Sequence, residues 1–401
     1  MDRPLFKKTF FILAHWMQGQ AMSGGDRIFI ELSKRWSSQW KIKFFVSSEG
    51  WKICQREGLG DFDHEILVSD QWNRFGYLLN YLYRTLTAIF KLLKWKVEEG
   101  DIVYSSSDFW PDALPALILK LRFKEKVRWI AGFYLVMTPP WRKDFPYKGR
   151  SRLMGLFYWL TQWPIFLWVK KYSDWVFVTS EPDVPKFVTP KRGLENIVVV
   201  KGGIDQRPSM EYLCSASVRP ISKRKYDACF IGRFYYPKGV LELMDIWQEV
   251  CKARPNARLA VIGVGILEGR LKEKIERLGL KEKIDLLGFK DGDEKYEIFK
   301  ESKLVLHPAI YDSGGMAACE AMAWGLPGVS FDLEALKTYY PKGMLKTPCY
   351  DLKKFSDHIL LLLNDTTLYE KMKEEAIVLA REWDWDKRAE EILKKIRNLI
   401  P

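Results

Sequence analysis

The sequence predicts a two-domain α/β protein in which two doubly wound parallel sheets face each other across a cleft. Three observations predict it. The chain has 401 residues, too many for one core and enough for two of ordinary size. Short runs rich in β-branched and aromatic residues alternate with helix-length segments, as parallel strands joined by crossover helices require. The alternation then restarts after residues 206–224, a stretch with two prolines and several serines that reads as a linker.

In the first half, 10–14, 41–46, 101–104, 127–131, 175–179 and 197–200 read as strands. Between them, 25–36, 72–96, 112–121 and 152–172 read as helices. In the second half the strands are 228–231, 258–262, 284–287, 304–306 and 328–331. The helices there are 238–252, 267–278, 294–302 and 315–324, and the tail adds 353–363, 366–382 and 386–399. The expected division is 1–205, 206–382 and a final segment 383–401. In such sheets ligands sit beyond the carboxyl ends of strands, so the loops after strands carry the functional argument.

Charge narrows the function classes. Lys and Arg number 64 against 51 Asp and Glu, a formal net charge of +13. Residues 1–205 hold 31 of those cations and 21 of the acids, so most of the excess belongs to the first half. Residues 120–172 alone hold 12 cations and two acids, interleaved with 14 aromatic side chains. That mixture suits an anionic membrane surface, a nucleic acid or an anionic substrate. An apolar share of 47% excludes a disordered chain.

Cysteines at 54, 214, 229, 251, 319 and 349 form no CxxC pair and read as buried thiols of a reducing compartment. Histidines at 15, 64, 307 and 358 lack metal-ligand spacing, so no metal site is expected. No signal peptide is recognised, which points to the cytoplasm. The run 153–169 is uncharged for 17 residues, but Gln162, Pro164 and six aromatics suit a membrane interface better than a span. At helical spacing Trp159, Trp163 and Phe166 share one face, and Phe157 and Trp168 point the other way. A domain core cannot easily take both sets, which favours docking on the inner face of the cell membrane.

Three loops carry chemistry. The first, Gln18 to Arg27, places Gly24 and Gly25 at a strand-to-helix turn. Two readings stay open there: backbone approach to a phosphate, or a tight turn capped by Ser23. The second holds Gly232, Arg233, Lys238 and Gly239 after a strand. Two cations around a turn that opens a helix can neutralise a diphosphate, and Lys238 stands at the helix end where the dipole disfavours it. The third runs from His307 to Pro327. Asp312 lies in its loop, Ser313, Gly314, Gly315 and Met316 lead into a helix, and Glu320 is a lone acid on that otherwise apolar helix. A carboxylate in such surroundings needs hydrogen-bond partners, which ligand hydroxyls could supply.

These segments, SGGDRIFIELSKRW, VVVKGGID, IGRFYYPKGVLELM, HPAIYDSGGMAACEAMAWGLPGVSFD and WDWDKRAEEILKKI, resemble those of the retaining glycosyltransferases of family 4. The resemblance spans nearly the whole chain and implies the GT-B fold, two Rossmann-like domains with the last helix returning to the first. It implies a metal-independent hexosyltransferase using a nucleotide-sugar, such as a UDP- or GDP-sugar, with no other cofactor. Arg233 and Lys238 would hold the donor diphosphate, Glu320 the ribose, and Asp312 would meet the transferred sugar. Gly24, Gly25, Gly232, Ser313, Gly314, Gly315 and Met316 would line the donor. Trp383 and Trp385 would pack near the domain junction.

The chain departs from the family pattern at three places. Asp312 replaces the usual Glu, Gly202-Gly203 replaces the usual Asn-Gly, and no His follows residue 131 on the acceptor side. Asp108 and His15 are the remaining acceptor-side candidates, with a helix-cap role equally open for Asp108 and a core position for His15. The pair Asp384 and Asp386 reads as a helix cap rather than a metal motif. The expected acceptor is a hydroxyl of a lipid-linked or membrane-associated glycan. Alternatives are a sugar-phosphate synthase or phosphorylase-like enzyme on the same fold, and, from another class, a nucleic-acid-binding or non-catalytic GT-B protein.

Overall fold

The structure, a computed structural model, describes residues 8–19, 22–147 and 149–397. Gln20 and Ala21 of the first loop, Lys148 of the basic stretch and the end of the last predicted helix lie outside the described residues. The chain divides into two compact units. One runs to Gly202 and takes in Trp385 onward; the other is Gly203–Asp384.

In the first unit, β1 (Thr9–Ala14), β2 (Lys41–Ser47), β3 (Asp63–Val68), β4 (Asp101–Ser105), β5 (Val127–Gly132), β6 (Trp175–Val178) and β7 (Ile197–Val199) form one sheet. Its order is β3-β2-β1-β4-β5-β6-β7 with every pair parallel. The chain between strands supplies α1 (Gly24–Trp36), α2 (Ser48–Arg56), α3 (Tyr77–Leu92), α4 (Trp110–Phe123), α5 (Arg152–Tyr172) and α6 (Val184–Phe187). Strands buried on both faces explain their nearly unbroken apolar composition. Phe11, Val103, Trp129 and Val176 pack with Ile165 and Val169 of α5 in one core.

The second unit repeats this plan with β8 (Tyr226–Ile231), β9 (Leu259–Ile262), β10 (Ile284–Gly288), β11 (Ser302–His307), β12 (Gly328–Phe331) and β13 (Met344–Thr347). The order is β10-β9-β8-β11-β12-β13, again all parallel. Its helices are α7 (Arg207–Leu213), α8 (Val240–Ala253), α9 (Glu268–Arg277), α10 (Gly292–Lys300), α11 (Met316–Ala323), α12 (Glu334–Tyr339), α13 (Leu352–Asn364) and α14 (Thr366–Arg381). The last helix, α15 (Trp385–Arg397), lies in the first unit against α1. There Trp36 Nε1 donates to the Ala389 carbonyl at 3.1 Å and Arg35 Nε to Asp386 Oδ1 at 2.5 Å. Asp386 thus pairs with a cation. Trp383 is buried in the second unit, stacked on Tyr340 with ring centroids 5.8 Å apart.

Both sheets are doubly wound, as the alternation predicts, and the departures have local causes. Edge strands β3 and β13 escape the pattern because only part of each is buried. The predicted helix 72–96 is divided at Gly76, whose φ of +86° ends a 3-10 turn, Asp70–Phe75, before α3 begins. The supposed linker 206–224 contains α7, opened by Pro208 in its first turn. Cys214 and Cys349 are exposed, so not every thiol is a core residue. In α5 neither aromatic set is the buried one. Gly155, Thr161, Gln162, Ile165 and Val169 face inward, while Trp159, Trp163 and Phe166 stack on one another along the helix.

Candidate active site

In a doubly wound sheet the natural ligand position is where the strand order reverses. In the second unit that is the neighbouring pair β8 and β11, with Phe230 opposite Leu306. The two following loops are tied together. The amides of Ile310 and Tyr311 donate to the Pro237 carbonyl at 2.9 and 3.2 Å. Gly239 makes this approach possible: at φ +66°, a Cβ there would stand 1.8 Å from the Pro308 carbonyl oxygen. Gly239→Ala is therefore expected to force the loops apart. Left-handed backbone strain alone costs about 1–2 kcal/mol, and the clash adds to it. A denaturation midpoint equal to wild type would show that the loops are not locked as described.

The locked loops bring Lys238 and Asp312 together. Lys238 Nζ lies 2.6 Å from Asp312 Oδ2, and the other carboxylate oxygen accepts the Ser313 amide at 3.0 Å. This answers why a cation stands at the start of α8: its charge faces a carboxylate, not the helix dipole. His307 Nε2 is 3.3 Å from the same Asp312 oxygen but without hydrogen-bond alignment. Burial would raise the Asp312 carboxyl, but Lys238 and His307 overcome it and hold it well below the usual carboxylate range. Burial lowers His307, with Asp312 opposing.

Arg233 is exposed and stands over the Tyr235 ring at 5.7 Å. Gly232 departs from its expected role: its amide donates to the Ile262 carbonyl at 3.1 Å and so extends the sheet instead of facing a ligand. Gly314 packs under Tyr339, and Gly315 opens α11. No side chain caps α11, and no acid stands in its first turn, which begins at Met316. Such an end attracts anions through its free amides and dipole. Tyr340 braces it from below, donating to the Gly315 carbonyl and accepting the Cys319 amide at 3.1 Å.

Glu320 is not a lone acid. Its Oε2 is 2.9 Å from Lys295 Nζ, and Lys295 also pairs with Asp291 Oδ1 at 2.9 Å. Burial would depress the Lys295 ammonium, but Glu320 and Asp291 raise it above its ordinary value. Lys295 is buried, and the Glu320 side chain paired with it keeps 21% exposure.

The first-unit candidates fare differently. Ser23 caps α1 by accepting the Asp26 amide, and Asp26 returns to the Ser23 amide at 2.7 Å. The capping box places an acid at the helix start, where a phosphate would otherwise sit. A Cβ on Gly25 would meet the Tyr134 ring at 2.7 Å, so the smallness of Gly25 serves packing; Gly24 is the first residue of the same capped turn. His15 is fully buried with both ring nitrogens unpartnered, and burial pushes it down to about 3. It is a neutral core residue and not an acceptor contact.

Asp108 is no cap either. Phe109 occupies that position, and Asp108 Oδ2 accepts from Gln162 Nε2 at 2.8 Å and Tyr158 Oη at 3.4 Å. Burial raises Asp108 to about 6 against those hydrogen bonds. Sequence reasoning missed Asp112, in the first turn of α4, which accepts from Ser107 Oγ at 2.5 Å and the Trp16 amide at 3.1 Å. Burial raises it to about 7. The serine run 105–107 just before it was the available signal.

Residues 216–378 match the family described as glycosyl transferases group 1. An uncharacterised glycosyltransferase of Methanocaldococcus jannaschii is 35% identical over 100 residues, 25% of this chain and 25% of that protein. The poly(glycerol-phosphate) alpha-glucosyltransferase of Bacillus subtilis is 25% identical over 171 residues, 42% of this chain and 25% of that one. The chain thus spans about a quarter of the length of these curated relatives. Among solved structures, Anabaena HepE in complex with UDP and glucose superposes with a TM-score of 0.69 at 15% identity, covering 97% of this chain and 99% of that one. Residues 216–378 are therefore similar to the glycosyl transferases group 1 family, within a chain of the GT-B fold.

Proposed function

We propose that the protein is a retaining glycosyltransferase that moves a hexose from a nucleotide-sugar to an acceptor hydroxyl of a lipid-linked or membrane-associated glycan. The observation that carries the reading is the union of Lys238, Asp312 and the uncapped start of α11 at the β8–β11 reversal. The solved HepE structures with UDP, and with UDP-glucose, support a nucleotide-sugar donor.

Transfer passes through an oxocarbenium-like state while negative charge gathers on the departing diphosphate. An ammonium has three N–H donors, and Asp312 takes one from Lys238, leaving two for phosphate oxygens. Arg233, exposed beside it, adds a fork of donors, and the α11 amides add dipole charge. Together these replace a divalent metal. Asp312 meets the sugar, and Glu320, part-exposed at 21%, accepts from a ribose hydroxyl. Retention follows from front-face attack, without a protein nucleophile.

A thermal-shift and turnover screen of UDP-, GDP- and ADP-sugars tests the reading. One donor is expected to stabilise the protein and to be turned over equally in excess chelator. Loss of turnover in chelator with recovery on adding a divalent ion would refute metal independence. No shift with any nucleotide-sugar would refute the donor site.

A further inference from the structure

Helix α3 buries polar residues beside apolar ones: Asn80, Arg84 and Thr85 lie inward with Tyr81, Ala88 and Leu92, and Arg84 is 0% exposed. Arg84 Nη1 donates to the His15 carbonyl at 2.8 Å, Nε to Asn80 Oδ1 at 3.0 Å, and Nη2 to Asp70 Oδ1 at 3.2 Å. The opposite face presents Leu79, Leu82, Leu86 and Phe90 to solvent, with Leu86 53% and Phe90 64% exposed. Steps of three and four residues make these one stripe. Single exposed leucines are ordinary; a helix with its arginine inside and a leucine stripe outside is not.

A second exposed apolar set lies on α5, which packs on α4, as α3 does. Tyr77, on the side of α3 away from its leucine stripe, meets Phe157 of α5 with ring centroids 5.8 Å apart. Leu153, Leu160 and Leu167, one heptad apart, are exposed on α5, as are Trp163 and Trp168. Neither 71–97 nor α5 contains a single Asp or Glu, while Arg74, Lys94, Lys96, Arg152, Lys170 and Lys171 are basic. Within 71–97 and α5 the charged side chains are therefore all cations, with Asp70, Glu98 and Glu99 at the ends of the first segment. Among the described residues no helix is long and apolar enough to cross a membrane.

We infer that α3 and the outer stripe of α5 form a docking face for an anionic lipid bilayer, lying in its interface. Charge complementarity selects this occupant. A second copy of the chain would set the same cations against each other at a net +13 per copy, whereas anionic headgroups neutralise them. Leucines then enter the acyl boundary, and the indoles of Trp163 and Trp168 suit the headgroup level. The inference stands on the first unit and does not depend on the donor reading.

Co-sedimentation of the full chain with vesicles tests it. Wild type is expected to pellet with vesicles of equal parts phosphatidylcholine and phosphatidylglycerol, and less as salt rises. The combined variant Leu82→Ser, Leu86→Ser, Phe90→Ser changes side chains that are 39%, 53% and 64% exposed, and it should keep cooperative unfolding and wild-type helix content. Its vesicle affinity is expected to fall by about tenfold or more. No pelleting of wild type at low salt, or equal pelleting of the variant, would overturn the inference. So would velocity sedimentation showing wild-type dimers that the variant lacks, which assigns the face to a second copy. Vesicle binding without any nucleotide-sugar shift would keep the docking face and remove the donor reading alone.

Discussion

Replacing Lys238 with alanine is expected to lower glycosyl transfer by about a hundredfold or more, the scale of losing one preorganised donor to developing charge. The loss should fall on kcat more than on KM, because the leaving diphosphate gains charge in the transition state. A second consequence separates this lysine from a solvated one. Lys238 is the chief group that keeps the half-buried Asp312 carboxyl depressed. A depressed carboxyl stabilises the fold above its unfolded value, near 3.9, and loses that contribution as pH falls through the folded value. The stability gap between wild type and Lys238→Ala should thus be widest at neutral pH and narrow below about pH 4. A variant with near-normal turnover and a gap flat with pH would remove Lys238 from both roles.

What the sequence made legible follows from what repeats. Parallel strands buried on both faces leave apolar runs, so both sheets were readable, and the loops after β8 and β11 could be chosen before any contact was known. Direction was not readable. The periodicity of 72–96 shows that α3 has two faces, but it does not say that Arg84 points in and Leu86 out, because the partners of Arg84 other than Asn80 come from the turn at Asp70 and Asn73 and from the end of β1. The same limit hid the inward stripe of α5, where small and β-branched residues pack while the indoles stay outside. Asp108 was singled out from its loop, yet its partners Gln162 and Tyr158 lie about fifty positions away. Contacts of that separation leave no local pattern.

Lys295 is the case with most consequence for function. On its own helix it looks like one of several solvated cations, and only the structure places it 2.9 Å from Glu320. That contact offers an alternative purpose for the acid: Glu320 could exist to satisfy a buried lysine. The two purposes predict different outcomes. Glu320→Ala is expected to cut transfer about a hundredfold or more, because a site built to hydrogen-bond a ligand hydroxyl loses heavily when that acceptor goes. It also removes a hydrogen bond between charged groups, worth about 1.5–3 kcal/mol, although Asp291 still faces Lys295. Lys295→Met removes the pair from the other side and leaves Glu320 in place with its exposed edge. If the acid serves the ribose, Lys295→Met should lose stability while keeping turnover within about tenfold of wild type, far above Glu320→Ala. If the acid serves only the lysine, the two variants should lose activity equally. Measuring both rates beside both unfolding midpoints decides it, since equal stability losses with unequal turnover can come only from a contact that Glu320 makes beyond Lys295.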